Sequence, residues 1–423
     1  MNSFSFNSDI LHVENVSLVK ISKNVGTPLY VYSKKQFENN YNLLTSSLNK
    51  TLGKKYDILI AYSVKSNSNI AVINILNSLN SGADVVSLGE LKRTLKSGIP
   101  GDRIVFSGVG KTSEEMSFAL DANILQFNIE SIPELKMLSE IASTKGKKAP
   151  IAIRINPDIN AGGHKNISTG FEGTKFGIDY KEAQEAYDYA SNLKGIEIVG
   201  VDIHIGSQIN DLEPFRLAYE KVSDLVFSLR DKGHNISNID LGGGIGILYN
   251  DSDHIFSLTE YAAMLKQTVG DLGCKIILEP GRLISGNAGV LLTKIIRIKT
   301  TNKYNFLLID AAMNDFLRPA LYEANHDIIE VIKSDKNNNK KVYKVAGPIC
   351  ETGDVIKENC YLTNPQEGDL LAILCAGAYG ASMSSTYNSR SLIPEVLVSG
   401  KKMDIIRKRI STEELISFER IPE

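Results

Sequence analysis

Tryptophan is absent from the 423 residues, and cysteine occurs only four times, at Cys274, Cys350, Cys360 and Cys375. No two of these stand in a CxxC pair, and no histidine lies near them at zinc-finger spacing. A disulfide framework and a metal site are therefore not expected, and a reducing compartment, the cytoplasm, is. Neither sign of charge is in excess: Lys and Arg total 47 and Asp and Glu 49, a formal net charge of -2. That balance gives no electrostatic reason for nucleic acid or an anionic membrane as partner, and leaves a small-molecule substrate as the expectation. No apolar run approaches the roughly 20 residues that span a bilayer. Met1–Ile10 has no basic stretch leading into an apolar core, so it does not read as a signal peptide.

What is present is a globular composition, 43% hydrophobic and 23% charged, over a length that calls for two domains. Between about residues 56 and 282, short apolar runs alternate with stretches of helical spacing. The runs are 57–64, 83–87, 104–107, 124–128, 151–156, 198–205, 239–241 and 275–278. They are β-branched and nearly continuous, as parallel strands buried on both faces are. Helices are expected at 113–120, 131–143, 180–191 and 212–232, where apolar residues recur at i, i+3 and i+4. Eight strands alternating with helices is the count of a (β/α)8 TIM barrel, with an open doubly wound sheet as the competing architecture. Beyond about 283 the runs 290–298, 305–309, 327–332, 342–346 and 370–375 lack helical stretches between them and read as a C-terminal all-β domain. The expected division is a barrel over 31–282 and a β domain made of 1–30 with 283–423. Lys333–Lys341 reads as an exposed hairpin loop, its charges a solvated face.

Residues with chemical capacity follow these strands: Lys65 the first, His204 and Ser207 the sixth, Gly242–Gly244 the seventh, Glu279 and Arg282 the eighth. A barrel builds its active site at the C-terminal strand ends and often binds phosphate after strands seven and eight. A lysine at a strand end commonly just reaches solvent, but a partly desolvated amine can form a Schiff base with an aldehyde cofactor. The Gly242–Gly246 run can bring backbone N–H groups close to a phosphate, although it lacks the Lys-Ser/Thr end of a P-loop. Glu279, in Glu279-Pro280-Gly281-Arg282, reads equally as a salt-bridged strand end or as the carboxylate that keeps a pyridine nitrogen protonated. His204 can stack on a ring or fill a core; no partner at ligand spacing makes it a metal site.

In order and spacing, Tyr62–Asn67, His204–Gln208, Leu241–Gly246 and Glu279–Arg282 resemble the fold-type III, alanine-racemase-like decarboxylases that use pyridoxal 5'-phosphate. The resemblance covers nearly the whole chain. It implies that Lys65 forms the Schiff base, His204 stacks on the ring, and Glu279 meets the ring nitrogen. It also implies that Ser207, Gly243, Gly244, Gly281, Arg282 and Tyr379 surround the cofactor, with Asp84 and Arg154 as supporting polar residues. In the β domain, Arg318–Tyr322, Cys350-Glu351 and Ala378–Gly380, with Ile167–Gly170 after the fifth strand, look like motifs of the diaminopimelate decarboxylases; Ala312 and Ala381 are small departures. The implied reaction removes CO2 from meso-2,6-diaminopimelate to give L-lysine. Arg282, Arg318, Tyr322, Glu351 and Tyr379 would then bind substrate, and Cys350 would return a proton to the carbanion. Arginines suit this because they grip carboxylates bidentately. The resemblance also implies a homodimer with active sites shared between subunits. The alternatives are a decarboxylase of ornithine, arginine or carboxynorspermidine on the same scaffold, a racemase with a second base opposite Lys65, and a non-catalytic cofactor carrier.

Overall fold

A computed structural model describes residues 3–53, 55–160, 170, 173–250, 253–333 and 340–423. Ile167–Thr169 and most of the Lys333–Lys341 loop lie outside the described residues. The chain divides into two compact units: Asn40–Ile247 with His254–Leu283, and Met1–Asn39 with Leu248–Asp253 and Ile284–Glu423.

The first unit is a closed barrel. Its strands are β1 (Ile58–Ser63), β2 (Gly82–Val85), β3 (Ile104–Phe106), β4 (Gln126–Ile129), β5 (Ala149–Asn156), β6 (Ile196–Asp202), β7 (Asn238–Asp240) and β8 (Lys275–Leu278). Each pairs in parallel with the next, and β8 returns to β1 in the register Leu278↔Ile60, so the ring closes and the open sheet is excluded. One short addition, Ile178–Asp179, pairs with the end of β5. The strands are buried on both faces, with helices covering the outside while Leu59, Ala61, Val105 and Ile277 pack together, and buried polar residues such as Asn128 and Asp240 interrupt the apolar runs. Serine and threonine caps set where the helices begin. Ser131 accepts from Glu134 N ahead of Ile132–Thr144, and Thr112 forms a capping box with Glu115 ahead of Ser113–Asp121. The helical spacing at 212–232 becomes Glu213–Asp231, whereas 180–191 opens as a 3₁₀ turn, Tyr180–Glu182, before the helix Ala183–Ser191.

The second unit is β-rich, with short helices at Leu18–Val25, Arg318–Tyr322 and Thr412–Ile416. The N-terminal segment does complete it. Leu29–Ser33 lies between Gly289–Thr300, to which it runs antiparallel, and Glu395–Ser399, to which it runs parallel. The period-two alternation of that strand sends Leu29 and Val31 into a core with Val290, Leu292, Val396 and Val398. Its other face carries Tyr30 and Tyr32, whose hydroxyls donate to the Asp315 carbonyl and the Glu395 carboxylate. Among the described residues no helix is long and apolar enough to cross a membrane.

Candidate active site

The C-terminal ends of the barrel strands gather charged groups that the apolar strands would not otherwise tolerate. Lys65 sits on the 3₁₀ turn Val64–Ser66 directly after β1, its Nζ 3.0 Å from Asp84 Oδ2 on β2. Ser63 Oγ donates to the same carboxylate oxygen at 2.6 Å. Asp202 ends β6, Asp240 ends β7 and Glu279 follows β8; all three are buried, and their carboxylate oxygens lie within 4.8 Å of one another. Burial raises the pKa of Glu279 well above the carboxylate range, and Asp240, Asp84 and Asp202 add repulsion that Lys65 opposes. Asp202 is raised in the same way, by burial first and Asp240 next. For Asp240, burial drives the pKa up to about 7 against the hydrogen bonds from Asn128 and Gly242 N. Arg154, at the end of β5, pairs with Glu130 at 2.8 Å and lies over the Phe176 ring.

His204 follows β6. Gly243 N donates to its Nδ1 at 3.2 Å, which makes Nδ1 the bare nitrogen of a neutral ring. Burial, with Arg154 and Lys65 nearby, lowers its pKa well below 6.5, in agreement with that tautomer. Gly243 is required for a reason beyond loop flexibility: a Cβ there would lie 2.1 Å from the Glu279 carbonyl. A Cβ at Gly281 would sit 3.0 Å from both Ser63 Cβ and Ser66 Cβ. Arg282 is buried, and its Nη2 donates to Ser207 Oγ at 3.1 Å. Thus Lys65, Asp84, His204, Ser207, Gly243, Gly281, Glu279 and Arg282 belong to one unit and are linked by short contacts, and Gly244 joins them through the same loop.

The β-rich unit holds two further groups. Arg318 opens the helix Arg318–Tyr322, is buried, and donates from Nη1 to Tyr249 Oη at 2.8 Å. The same nitrogen is 3.0 Å from His326 Nε2, while His326 Nδ1 is 2.9 Å from the Leu374 carbonyl. A neutral His326 protonated at Nδ1 satisfies both contacts. Cys350 and Glu351 are exposed; Asn388 Nδ2 donates to Cys350 Sγ at 3.2 Å and Tyr387 Oη donates to Glu351. Asp354 holds the loop that carries them by accepting from Ile349 N and Met313 N, both at 2.7 Å. Tyr322 and Tyr379 are partly buried, and Tyr379 has a left-handed φ of 54°.

A sequence profile described as the pyridoxal-binding domain of pyridoxal-dependent decarboxylases matches residues 37–286. The diaminopimelate decarboxylase of Zymomonas mobilis is 44% identical over 421 residues, covering 99% of each chain. That of Aquifex aeolicus is 46% identical over 399 residues, 94% of this chain and 93% of the relative. The chain belongs to the diaminopimelate decarboxylase family of pyridoxal-dependent decarboxylases. A solved family structure from M. jannaschii, in complex with L-lysine, superposes with a TM-score of 0.94 at 38% identity, covering 99% of this chain and 98% of that one. Another, from Helicobacter pylori and also complexed with L-lysine, gives 0.90 at 40% identity over 95% and 98%.

The residues present fit the family's cofactor. Asp84 Oδ1 and Asp202 Oδ1 are buried without a hydrogen-bond partner among the described residues, and the carboxylates around them outnumber Lys65 and Arg154. A protonated ring nitrogen is the charge such a cluster accommodates. Ser207, Arg282 and the tight glycines form a donor set suited to a phosphate, and the Lys65 amine suits an aldehyde. Sequence reading missed Asp202, Asp240, Glu130 and Asn128 in this family barrel, and Tyr249, His326, Tyr387 and Asn388 in the β-rich unit. The first four left a trace: each is a polar residue beside or within an apolar run, as in Val201-Asp202-Ile203 and Ile239-Asp240-Leu241.

Proposed function

We propose that the protein decarboxylates meso-2,6-diaminopimelate to L-lysine and CO2 with pyridoxal 5'-phosphate as cofactor. When bound, the cofactor supplies an electron-poor ring that accepts the electron pair released as CO2 leaves. Lys65 would hold the aldehyde end, with Asp84 orienting its amine. Glu279 would keep a proton at the ring nitrogen, and the neutral His204 would stack on the ring. Ser207, Gly243, Gly244 and Arg282 would hold the phosphate, with Gly281 and Tyr379 also binding the cofactor. Arg318 and Tyr322, with Arg282 and Tyr379, grip substrate carboxylate, and Glu351 accepts from the distal ammonium. Cys350 returns a proton to the carbon that has lost CO2.

The observation that carries the reading is the pairing, in one barrel mouth, of the Lys65 amine with the buried carboxylate cluster of Glu279. A panel of diamino acids assayed by CO2 release tests it. Diaminopimelate should be the preferred substrate, and borohydride should fix the cofactor at Lys65. Equal or faster release from ornithine or arginine would overturn the substrate assignment.

The reading includes a homodimer in which Cys350 and Glu351 of one subunit serve the barrel of the other, set in the reducing cytosol. The exposure of both side chains supports it. Mixing Lys65→Ala and Cys350→Ala chains should restore part of the activity. No restoration after verified subunit exchange would rule the shared site out.

A further inference from the structure

The barrel interior beside Glu279 carries a chain of amides. Asn238 Nδ2 on β7 donates to Gln126 Oε1 on β4 at 3.0 Å, and Gln126 Nε2 donates to Asn128 Oδ1 at 2.8 Å. Asn128 Nδ2 then donates twice, to Asp240 Oδ2 and to Ser107 Oγ, each at 3.1 Å. Ser107 Oγ in turn donates to Glu279 Oε1 at 3.3 Å. All six side chains are buried, and Gln126, Asn128 and Asp240 are 0% exposed.

The direction of this chain follows from Asp240 as an acceptor. It takes a hydrogen bond from Gly242 N at 3.1 Å, and in its ionised form a carboxylate only accepts, so Asn128 turns its NH2 toward it. Its carbonyl then faces Gln126, which must present its own NH2, and the same holds one step on at Asn238. Both protons of the Asn128 amide nitrogen are engaged, one by Asp240 and one by the Ser107 oxygen. The Ser107 hydroxyl proton is thereby left for Glu279. A single side chain thus orients donors toward two carboxylates. In a dry interior such a donor matters, because burial and the neighbouring carboxylates favour the protonated form of Glu279 and each donated hydrogen bond favours the ionised, accepting form.

We propose that Asn128 is a positioning residue for the reaction: through Ser107 and Asp240 it holds the Glu279 carboxylate oriented and accepting, ready for the ring-nitrogen proton of pyridoxal phosphate. The inference rests on the role assigned to Glu279 above.

Binding to the cofactor-stripped full-length chain tests it, using pyridoxal phosphate and a carbocyclic analogue with C–H in place of the ring nitrogen. Asn128→Ala should weaken pyridoxal phosphate binding by about ten-fold or more, the loss of hydrogen bonds to a charged group, while analogue affinity stays within about two-fold. Ser107→Ala, which removes a single hydroxyl and spares the fold, should show the same ligand-selective loss at smaller size. A loss equal for both ligands, or none, overturns the proposal, because a merely structural role does not sense the ring nitrogen. Glu279→Gln is the control. If it too fails to distinguish the ligands, the ring-nitrogen role of Glu279 falls and the proposal with it. If it distinguishes them and neither Asn128→Ala nor Ser107→Ala does, the proposal alone falls.

Discussion

The barrel and the β-rich unit prepare their reactive groups differently. In the barrel, Lys65 is paired with Asp84, Arg282 with Ser207, and Glu279 with Ser107, and the carboxylates are buried in their own fold. In the β-rich unit, Cys350 and Glu351 stand exposed, and their side-chain partners among the described residues are the equally exposed Asn388 and Tyr387. The first set is pre-organised by one chain and is costly to disturb. The second set is held by a loop and stands open to whatever surface covers it, which in the proposed dimer would be the other subunit.

Four substitutions would break or sharpen that contrast. Lys65→Ala should have the largest effect, abolishing both borohydride-fixed cofactor and CO2 release; retained turnover would separate the barrel site from the chemistry. Cys350→Ala should lower kcat by about 100- to 10,000-fold, the range of a positioned proton donor, with cofactor absorbance unchanged. A parallel loss of absorbance would mean the two regions are not separable. Glu351→Ala should cost about 2–5 kcal/mol in kcat/KM for diaminopimelate, as loss of a charged partner does. Near-native kcat/KM would remove Glu351 from substrate recognition.

The smallest effect expected is on stability. Burial lifts Asp240 from 3.8 to about 7, so the folded chain holds this proton more tightly than the unfolded one. The contribution is therefore fully present below the unfolded value of about 3.9 and is lost as pH rises toward about 7, levelling beyond. Melting temperatures of the cofactor-stripped chain should fall across pH 5 to 7.5, and Asp240→Asn should flatten that slope. Cys350→Ala should leave the slope alone. If it flattens the slope as well, the pH response does not belong to the barrel.

The strands were legible because short, nearly continuous β-branched runs between helical stretches have few other uses, and all eight expected runs became barrel strands. Closure was not legible from period alone, since open parallel sheets show the same runs. Lys65, Glu279 and Arg282 could be singled out because they follow strands and stand in recognisable company. Asn128 and Gln126 could not: an amide inside a short strand looks like a flaw in the apolar pattern until the barrel curls it toward Asp240. Nor does local pattern mark Leu248–Asp253 as belonging with residues beyond 284, although Tyr249 reaches 69 positions along the chain to meet Arg318.

The strand Leu29–Ser33 leaves the ribosome early, while its flanking neighbours Gly289–Thr300 and Glu395–Ser399 emerge only after the whole barrel. Until then its backbone groups have no mate in their own sheet. Translation must carry this apolar ribbon, open on both sides, past the synthesis of the entire barrel, and in that interval a chaperone or a second nascent chain can capture it. Arrival of the final strands ends the hazard, so any stall before residue 395 leaves at least one side of this strand open.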